Sequence, residues 1–243
     1  MLRVATIWRY PVKSLQGERL DTATATAEGV QGDRSFGIRD VETGLILTAR
    51  RQPELLFASA AWSAGSVMVT LPDGRTTDSY GDLSNWLGRP VELTAAGSAG
   101  TYENPMDIEN EADWVQWSGP DTSFHDSGRD QISLVSRTTL RDWDERRFRQ
   151  NLILDGDGED ELVGSTISIG GAELHVTKLV DRCVMVTRPQ PGDIERDLSV
   201  LKTINKERNN CLGVATVVTT PGPISVGDSL QICLLYTSDA ADD

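Results

Sequence analysis

Three cysteines and two histidines are all the thiol and imidazole this 243-residue chain carries. No Cys-x-x-Cys pair, no phosphate-cradling P-loop and no Ser/His/Asp pattern is present, so the common thiol, nucleotide and acyl-transfer signatures are excluded. Positive charge is scarce as well: 23 Lys and Arg against 37 Asp and Glu give a net charge of -14. Nucleic-acid binding needs clustered Lys and Arg on phosphates, so a general nucleic-acid binder is excluded. An anionic ligand would have to draw on a few cations placed locally. No run of roughly 18 apolar residues occurs, so no membrane-spanning helix is expected. The opening Met1-Leu2-Arg3-Val4-Ala5 enters a strand-like run with no signal-peptide pattern. The expectation is a cytoplasmic protein with free thiols. Internal repeats and low-complexity segments are also lacking.

What is present suits one large or two modest globular domains, with 38% apolar and 25% charged residues. Short apolar runs punctuated by Gly and Pro predict strands at 4–8, 34–39, 45–48, 55–62, 67–71 and 91–94, with Pro72-Asp73-Gly74 as a hairpin turn. A short helix is predicted over 82–87, capped by Asp82 and stopped by Gly88. Residues 96–120 are rich in Gly, Ser, Asn and acids and read as a junction. Their acidic cluster (Glu103, Asp107, Glu109, Glu111, Asp113) reads as a solvated face. Further strands are predicted at 132–135, 151–154, 166–169, 172–178, 214–219 and 225–232. The 166–178 pair turns about Gly170-Gly171, and helices are predicted over 137–147, opened by a Ser136 cap, and over 198–206. The fold class is therefore mainly β with a few helices (α+β), in a β-barrel architecture. Residues 233–243 resemble the in-frame translation of a transposon-end sequencing adapter and are set aside from fold reasoning.

The stretch that organises this reading is Val180-Asp181-Arg182-Cys183-Val184-Met185-Val186-Thr187, expected as the end of one strand turning into another. A thiolate is a soft metal ligand and a neighbouring guanidinium favours it, whereas the commoner fate of a lone cysteine is an inert buried one. Arg149 and Asn151 alternate across Gln150 and are expected on one face of a strand. Taken singly, Lys13 reads equally as a solvated loop residue, Arg34 as a partner of Asp33 or Asp40, Ser136 as a helix cap, and Thr139 as part of that first turn. Cys211, ahead of Leu212-Gly213, reads as a small buried residue. His175 is expected on a solvent-facing strand side, and His125 takes no role.

Taken together, these motifs resemble a known family. Tyr10-Pro11-Val12-Lys13-Ser14-Leu15-Gln16-Gly17, Gly32-Asp33-Arg34-Ser35-Phe36 and Leu47-Thr48-Ala49-Arg50-Arg51-Gln52-Pro53 precede Phe124-His125-Asp126, Arg147-Phe148-Arg149-Gln150-Asn151, Asp181-Arg182-Cys183 and Cys211-Leu212-Gly213. Pro221-Gly222 and Val226-Gly227-Asp228 close the series. Their order and spacing resemble MOSC-domain proteins that carry the MOSC N-terminal β-barrel-like domain, as in the bacterial YcbX-type proteins and the mitochondrial amidoxime-reducing component. The resemblance implies an N-terminal β-barrel-like domain over 1–95, a junction over 96–120 and a MOSC domain over 121–232. It implies a molybdenum cofactor (Mo-molybdopterin), with Cys183 as metal ligand and catalytic residue. Lys13, Ser14, Arg34, Ser136, Thr139, Arg149, Asn151 and Arg182 would bind the cofactor, and Arg50 and Arg51 would border the substrate opening. The implied activity is reduction of N-hydroxylated compounds (hydroxylamines, amidoximes, N-hydroxylated bases) with a ferredoxin-type electron donor. The alternative is a cofactor carrier or sulfur-handling module without redox turnover.

Overall fold

The computed structural model describes residues 1–97, 100–105 and 114–233. It is mostly β with three α-helices among the described residues. Its largest sheet has eight strands, ordered Leu230–Ile232, Thr166–Ile169, Ala172–Asp181, Cys211–Thr220, Ile132–Ser136, Leu152–Asp155, Arg3–Arg9 and Glu18–Leu20. Neighbours are antiparallel except Ile132–Ser136 with Leu152–Asp155. The sheet closes on itself. Leu230 donates its backbone N–H to Leu2 at 3.0 Å, and Arg3 bridges to Ser229, so the opening strand meets the closing one. Val4, Ile7, Leu134, Leu152, Ile167, Leu174, Val176 and Val214 fill the interior. On the other face Tyr10, Val135, Ile153 and Leu212 pack under Val200 and Ile204 of the helix Leu198–Arg208. Burial on both faces explains why these strands read as nearly continuous apolar runs rather than strict alternation.

The strands Arg3–Arg9, Glu18–Leu20 and Thr22–Thr26 thus belong structurally with the C-terminal half: the first two lie in its large sheet and Thr22–Thr26 pairs with Gly222–Ser225. After Arg9 the chain crosses into a second core. Tyr10 packs in the first, while Val12 and Leu15 pack in the second, with Ile38, Leu55, Leu56, Val69, Leu83 and Val91. Short pairings hold that second half: Phe36–Asp40 with Val91–Ala95, and Ser59–Ser63 with Ser66–Thr70. Residues 10–16 therefore run along the seam, tied by Lys13 N–H to the Phe36 carbonyl (2.9 Å) and Gln16 N–H to the Ala58 carbonyl (2.9 Å).

Several local expectations change. The run at 55–62 opens as a 3-10 turn, Pro53–Phe57, because Pro53 sits where its fixed φ suits a first helical turn; the strand starts at Ser59. Residues 45–48 make only a single bridge, Ile46 to Arg39. The short helix begins at Tyr80; Asp82 accepts from the Thr77 hydroxyl at 2.8 Å instead of capping, and left-handed Gly88 ends it. The helix expected over 137–147 is one turn, Arg137–Leu140. It breaks at Arg141 (φ 58) and restarts as Glu145–Arg147 under a new cap, Asp144. The run at 184–186 is not a strand: Ala172–Asp181 ends at Asp181, and Val184–Thr187 is a 3-10 turn. Of the acidic cluster, Glu103 pairs with Arg51 at 2.9 Å, and Asp107, Glu109, Glu111 and Asp113 lie outside the described residues, as does the tail after Cys233. No described helix is long and apolar enough to cross a membrane.

Gly213 shows how tightly the barrel meets the seam. Its φ is +76°, and an added Cβ would stand 2.6 Å from the Leu134 carbonyl oxygen and 2.7 Å from the Gln150 amide. Gly227 has a similar φ of +94° but nothing within 4 Å. Gly213→Ala should therefore destabilise by about 2–3 kcal/mol, against about 1 kcal/mol for Gly227→Ala. Equal denaturation midpoints for the two variants would contradict this packing.

Candidate functional site

A cleft lies where the seam segment, the loop before Leu152–Asp155 and the end of Ala172–Asp181 converge. Its walls include Lys13, Ser14, Arg34, Arg149, Asn151, Arg182 and Cys183. The enclosed part is about 180 Å³. Pockets that swallow a drug-sized ligand run to about 300–1,000 Å³, so a ligand of that size would extend into the open mouth. Six lining residues are basic (Lys13, Arg34, Arg50, Arg147, Arg149, Arg182) and three acidic (Asp126, Asp130, Asp181). In a chain of net charge -14, that is a local inversion of sign.

Cys183 reaches the cleft because the strand stops at Asp181. Arg182 makes the last backbone bond, its N–H to the Asn210 carbonyl at 2.9 Å, and Cys183 continues extended (φ -114°, ψ 178°) into the 3-10 turn. The thiol is half-buried, and the Arg50 guanidinium lies close enough to interact with it electrostatically. Arg50 also donates to Asp126 Oδ2 at 3.1 Å, while Lys13 Nζ donates to Asp126 Oδ1 at 2.7 Å and to the Phe124 carbonyl at 2.8 Å. Burial drives the Lys13 ammonium below its ordinary pKa, partly opposed by Asp126. Partial removal from water disfavours the Asp126 carboxylate, whose side chain stays 48% exposed, but Lys13 and Arg50 outweigh it and hold the group well below the usual carboxylate range.

Deeper in, Arg34 forms an ion pair with buried Asp33 and donates to the Arg149 carbonyl at 3.1 Å. Arg149 does not lie on a strand, as alternation suggested; its φ is 54°, and its guanidinium sits 4.3 Å from the centre of the Tyr10 ring. One of its nitrogens donates to the Leu15 carbonyl, whereas buried Nη2 has no partner among the described residues. Burial, then Arg34, pulls its pKa down to about 10. His125 is 4% exposed, and its Nε2, 3.7 Å from Asp33 Oδ2, lacks a hydrogen-bond partner among the described residues. Burial, then the Arg34 charge, pushes its pKa down to about 3.

Other expected residues act as braces. Arg182 turns inward, donating Nε to the Leu212 carbonyl at 3.0 Å and Nη1 to the Phe148 carbonyl at 2.9 Å. Burial lowers its pKa to about 10. The Asn151 amide oxygen accepts from the Ser133 N–H at 3.2 Å, and its nitrogen donates to the Trp8 carbonyl at 3.3 Å. The Ser14 hydroxyl accepts from the Ala49 N–H at 3.0 Å. Ser136 and Thr139 are not on the cleft wall: Ser136 is fully buried and spends its oxygen capping Thr139 N–H at 3.1 Å in a one-turn helix too short to build an anion site. Cys211 also stands off the cleft, half-buried, its thiol donating to Asp181 at 3.3 Å. Arg51 is away from the wall too, 4.4 Å from the Trp114 ring centre. Asp126 and His125 were not foreseen as site residues, although both sit in the quoted Phe124-His125-Asp126 motif. A carboxylate amid matched cations was the available signal.

Residues 1–103 match the MOSC N-terminal beta barrel domain, and residues 119–231 match the MOSC domain. Human mitochondrial amidoxime-reducing component 1 is 24% identical over 285 aligned positions, covering 94% of this chain and 82% of that protein. A mitochondrial amidoxime reducing component 2 from Macaca fascicularis is 37% identical over 76 positions, 29% of this chain and 22% of its own length. A molybdenum cofactor sulfurase from Drosophila erecta is 27% identical over 228 positions, 81% of this chain but 29% of the sulfurase. The chain thus spans less than a third of the latter two.

The buried imidazole sets a pH dependence. The unfolded chain takes up a proton near pH 6.5 whereas the native state resists until about pH 3, so the unfolded state binds more protons in between. Stability is full above pH 6.5 and falls as the pH drops, by up to about 2 kcal/mol between pH 7 and 5. Asp126, with its depressed pKa, adds to the loss only below about pH 4. Chemical denaturation at pH 7 and pH 5 should show this loss in the wild type and its absence in His125→Phe; equal losses would refute it.

Proposed function

The chain belongs to the MOSC family, with the N-terminal beta barrel domain ahead of the MOSC domain, and from that premise we propose that its cleft binds the molybdenum cofactor and reduces N-hydroxylated compounds. The observation that carries this reading is a half-buried thiol, Cys183, opening into a cationic cleft in which a buried Arg149 nitrogen lacks a partner. That donor set fits the group. A soft thiolate suits the metal, and guanidinium and ammonium groups suit a phosphate tail. No cluster of three or more His, Cys, Asp or Glu among the described residues could hold a metal ion, so a metal here would depend on donors its cofactor brings.

When bound, the cofactor would supply the redox chemistry: two electrons, from a ferredoxin-type donor, and two protons turn an N–OH group into N–H and water. The chain's own residues hold and orient. Cys183 offers the metal ligand, with the Arg50 guanidinium beside it favouring the thiolate. Asp126 fixes Arg50 and Lys13 together, keeping both cations at the wall. Lys13, Arg34 and Arg149 would present positive charge to the anionic tail, while Arg182 ties the turn at Phe148 to the strand Cys211–Thr220 at Leu212. Reduction of amidoximes is named in the relative that this chain covers at 82% of its length. The similarity to a molybdenum cofactor sulfurase supports a second reading, a carrier or sulfur-handling module, over 29% of that protein.

Cys183→Ser replaces a soft ligand by a hard, mostly protonated one. Such protein, made in a host that synthesises the cofactor, should retain pterin through its other contacts yet reduce hydroxylamine from a chemical donor only at background. Cys211→Ser keeps a donor for Asp181 and should change stability by less than about 1 kcal/mol, with turnover per molybdenum unaltered. Wild-type protein that binds molybdenum and pterin but turns over no N-hydroxylated substrate would favour the carrier reading.

Arg149→Lys tests the clamp. Lysine lacks the planar fork and concentrates its donors on one nitrogen, so it reaches the Leu15 carbonyl and a ligand together less well, and pterin retention through gel filtration should fall roughly tenfold. Full retention would place the clamp elsewhere.

A further inference from the structure

We propose that His125 is a ligand-contacting residue of this cleft: its Nε2–H, together with the unpartnered Nη2 of Arg149, donates to an oxygen of a phosphate-type anion. The proposal rests on the reading of the cleft as a cofactor site and adds to it a residue which that reading does not use.

The argument begins with an orphan. A buried polar atom without a hydrogen bond is destabilising, and such atoms in folded proteins mark strain or a missing partner. His125 lines the cleft, is 4% exposed, and has no partner on Nε2. Asp33 is the nearest carboxylate, at 3.7 Å, too far to bond and already engaged by the Tyr10 N–H at 2.6 Å and by Arg34. That carboxylate still selects the tautomer. A negative charge 3.7 Å from Nε2 favours a proton over a lone pair on that nitrogen without bonding it, so Nε2 carries the proton and remains a donor. Burial keeps the ring neutral, so the donor adds no charge to a wall that already holds Lys13 and Arg34. Arg149 repeats the pattern: a cleft-lining guanidinium whose Nη2 is buried and unpaired. Arg34 links the two, bonding the Asp33 carboxylate beside His125 and the Arg149 backbone carbonyl. Two unpaired donors in a cationic wall call for an acceptor-rich anion, and a phosphate group supplies several oxygens at once.

The chain's two histidines make the test direct, because His175, half-exposed on the strand Ala172–Asp181, is an internal reference. Inorganic phosphate, titrated into ligand-free protein labelled with ¹⁵N-histidine, should move the His125 imidazole resonances and leave those of His175 in place. It should also raise the melting temperature. His125→Phe, which keeps a ring but removes the donor, should lose phosphate affinity tenfold or more. Its melting temperature without phosphate should be no lower than that of the wild type, since an unpaired polar group has gone. A merely structural histidine would not give that pair of results. His125→Gln, with an amide donor, should recover part of the affinity.

A second arm separates the cofactor's phosphate from a free one. If protein loaded with cofactor loses pterin faster in His125→Phe, the anion is the cofactor's tail. If pterin is held equally but inorganic phosphate is not, the anion is a free phosphate; both results support the donor role. The proposal falls if wild-type protein does not bind phosphate, if His125 resonances stay still while phosphate binds, or if His125→Phe binds as tightly as the wild type. Should the wild type take up no molybdenum or pterin while the His125-dependent phosphate response persists, the functional reading fails and this one stands. Should His125→Phe not fold, the wild-type titration and His125→Gln decide.

Discussion

The opening strand is the constraint on which the cleft depends. Arg3–Arg9 is an inner stave of the barrel, held by Leu152–Asp155 on one side and Glu18–Leu20 on the other. The chain must therefore leave the barrel at Tyr10, fully buried, and enter the second core at Val12. Residues 13 and 14 fall between Val12 and Leu15, both fully buried in that second core, which is how Lys13 and Ser14 come to line the same cleft as Cys183 without a long flexible loop. Their positions are over-determined by packing on both sides. This allows Ser14 to hold a left-handed backbone (φ 70°) that a serine would ordinarily avoid.

Around that fixed segment, charge is distributed unequally. Asp126 neutralises Lys13 and Arg50 together, and Asp33 neutralises Arg34, yet Arg149 and Arg182 have no carboxylate partner among their hydrogen bonds. Burial without compensation depresses both guanidinium pKa values to about 10. Arg182 answers with main-chain carbonyls; Arg149 is left with a free donor. The cleft is thus electrostatically unfinished, and an anion completes it. The surrounding surface is acidic overall, so an anion gains attraction only after entering.

Much of this was legible in the sequence. The Gly170-Gly171 hairpin, the Gly88 stop and the Ser136 cap are local features, written in turn and cap chemistry, and they appear where that chemistry places them. Cys183 was legible as a thiol beside a cation, although the following turn is 3-10 rather than a strand. Periodicity misled where a local choice was overruled. The 137–147 pattern breaks because Asp144 offers a second cap, and Arg149 leaves the strand pattern because its backbone turns left-handed. Asp126 and His125 were not legible as site residues. Their roles exist only through partners distant in sequence, 113 residues away for Lys13 with Asp126 and 76 for Arg50 with Asp126. Spacing along the chain carries no signal at that range.

Barrel closure also has a consequence in time. Arg3–Arg9 leaves the ribosome before its neighbour Leu152–Asp155 and well before Ser229 and Leu230, which close the ring. At about 5–20 residues per second, closure waits roughly ten to forty-five seconds after the first strand is made. For much of that interval the strand has only the short Glu18–Leu20 beside it, and its other, largely apolar edge stays open until Leu152–Asp155 emerges, the kind of surface that aggregates or recruits chaperones. Nor can a ribosome that begins at the MOSC segment alone make a closed barrel, because the missing stave lies upstream. The two family segments are separate in the gene's order but a single unit in the kinetics of its folding.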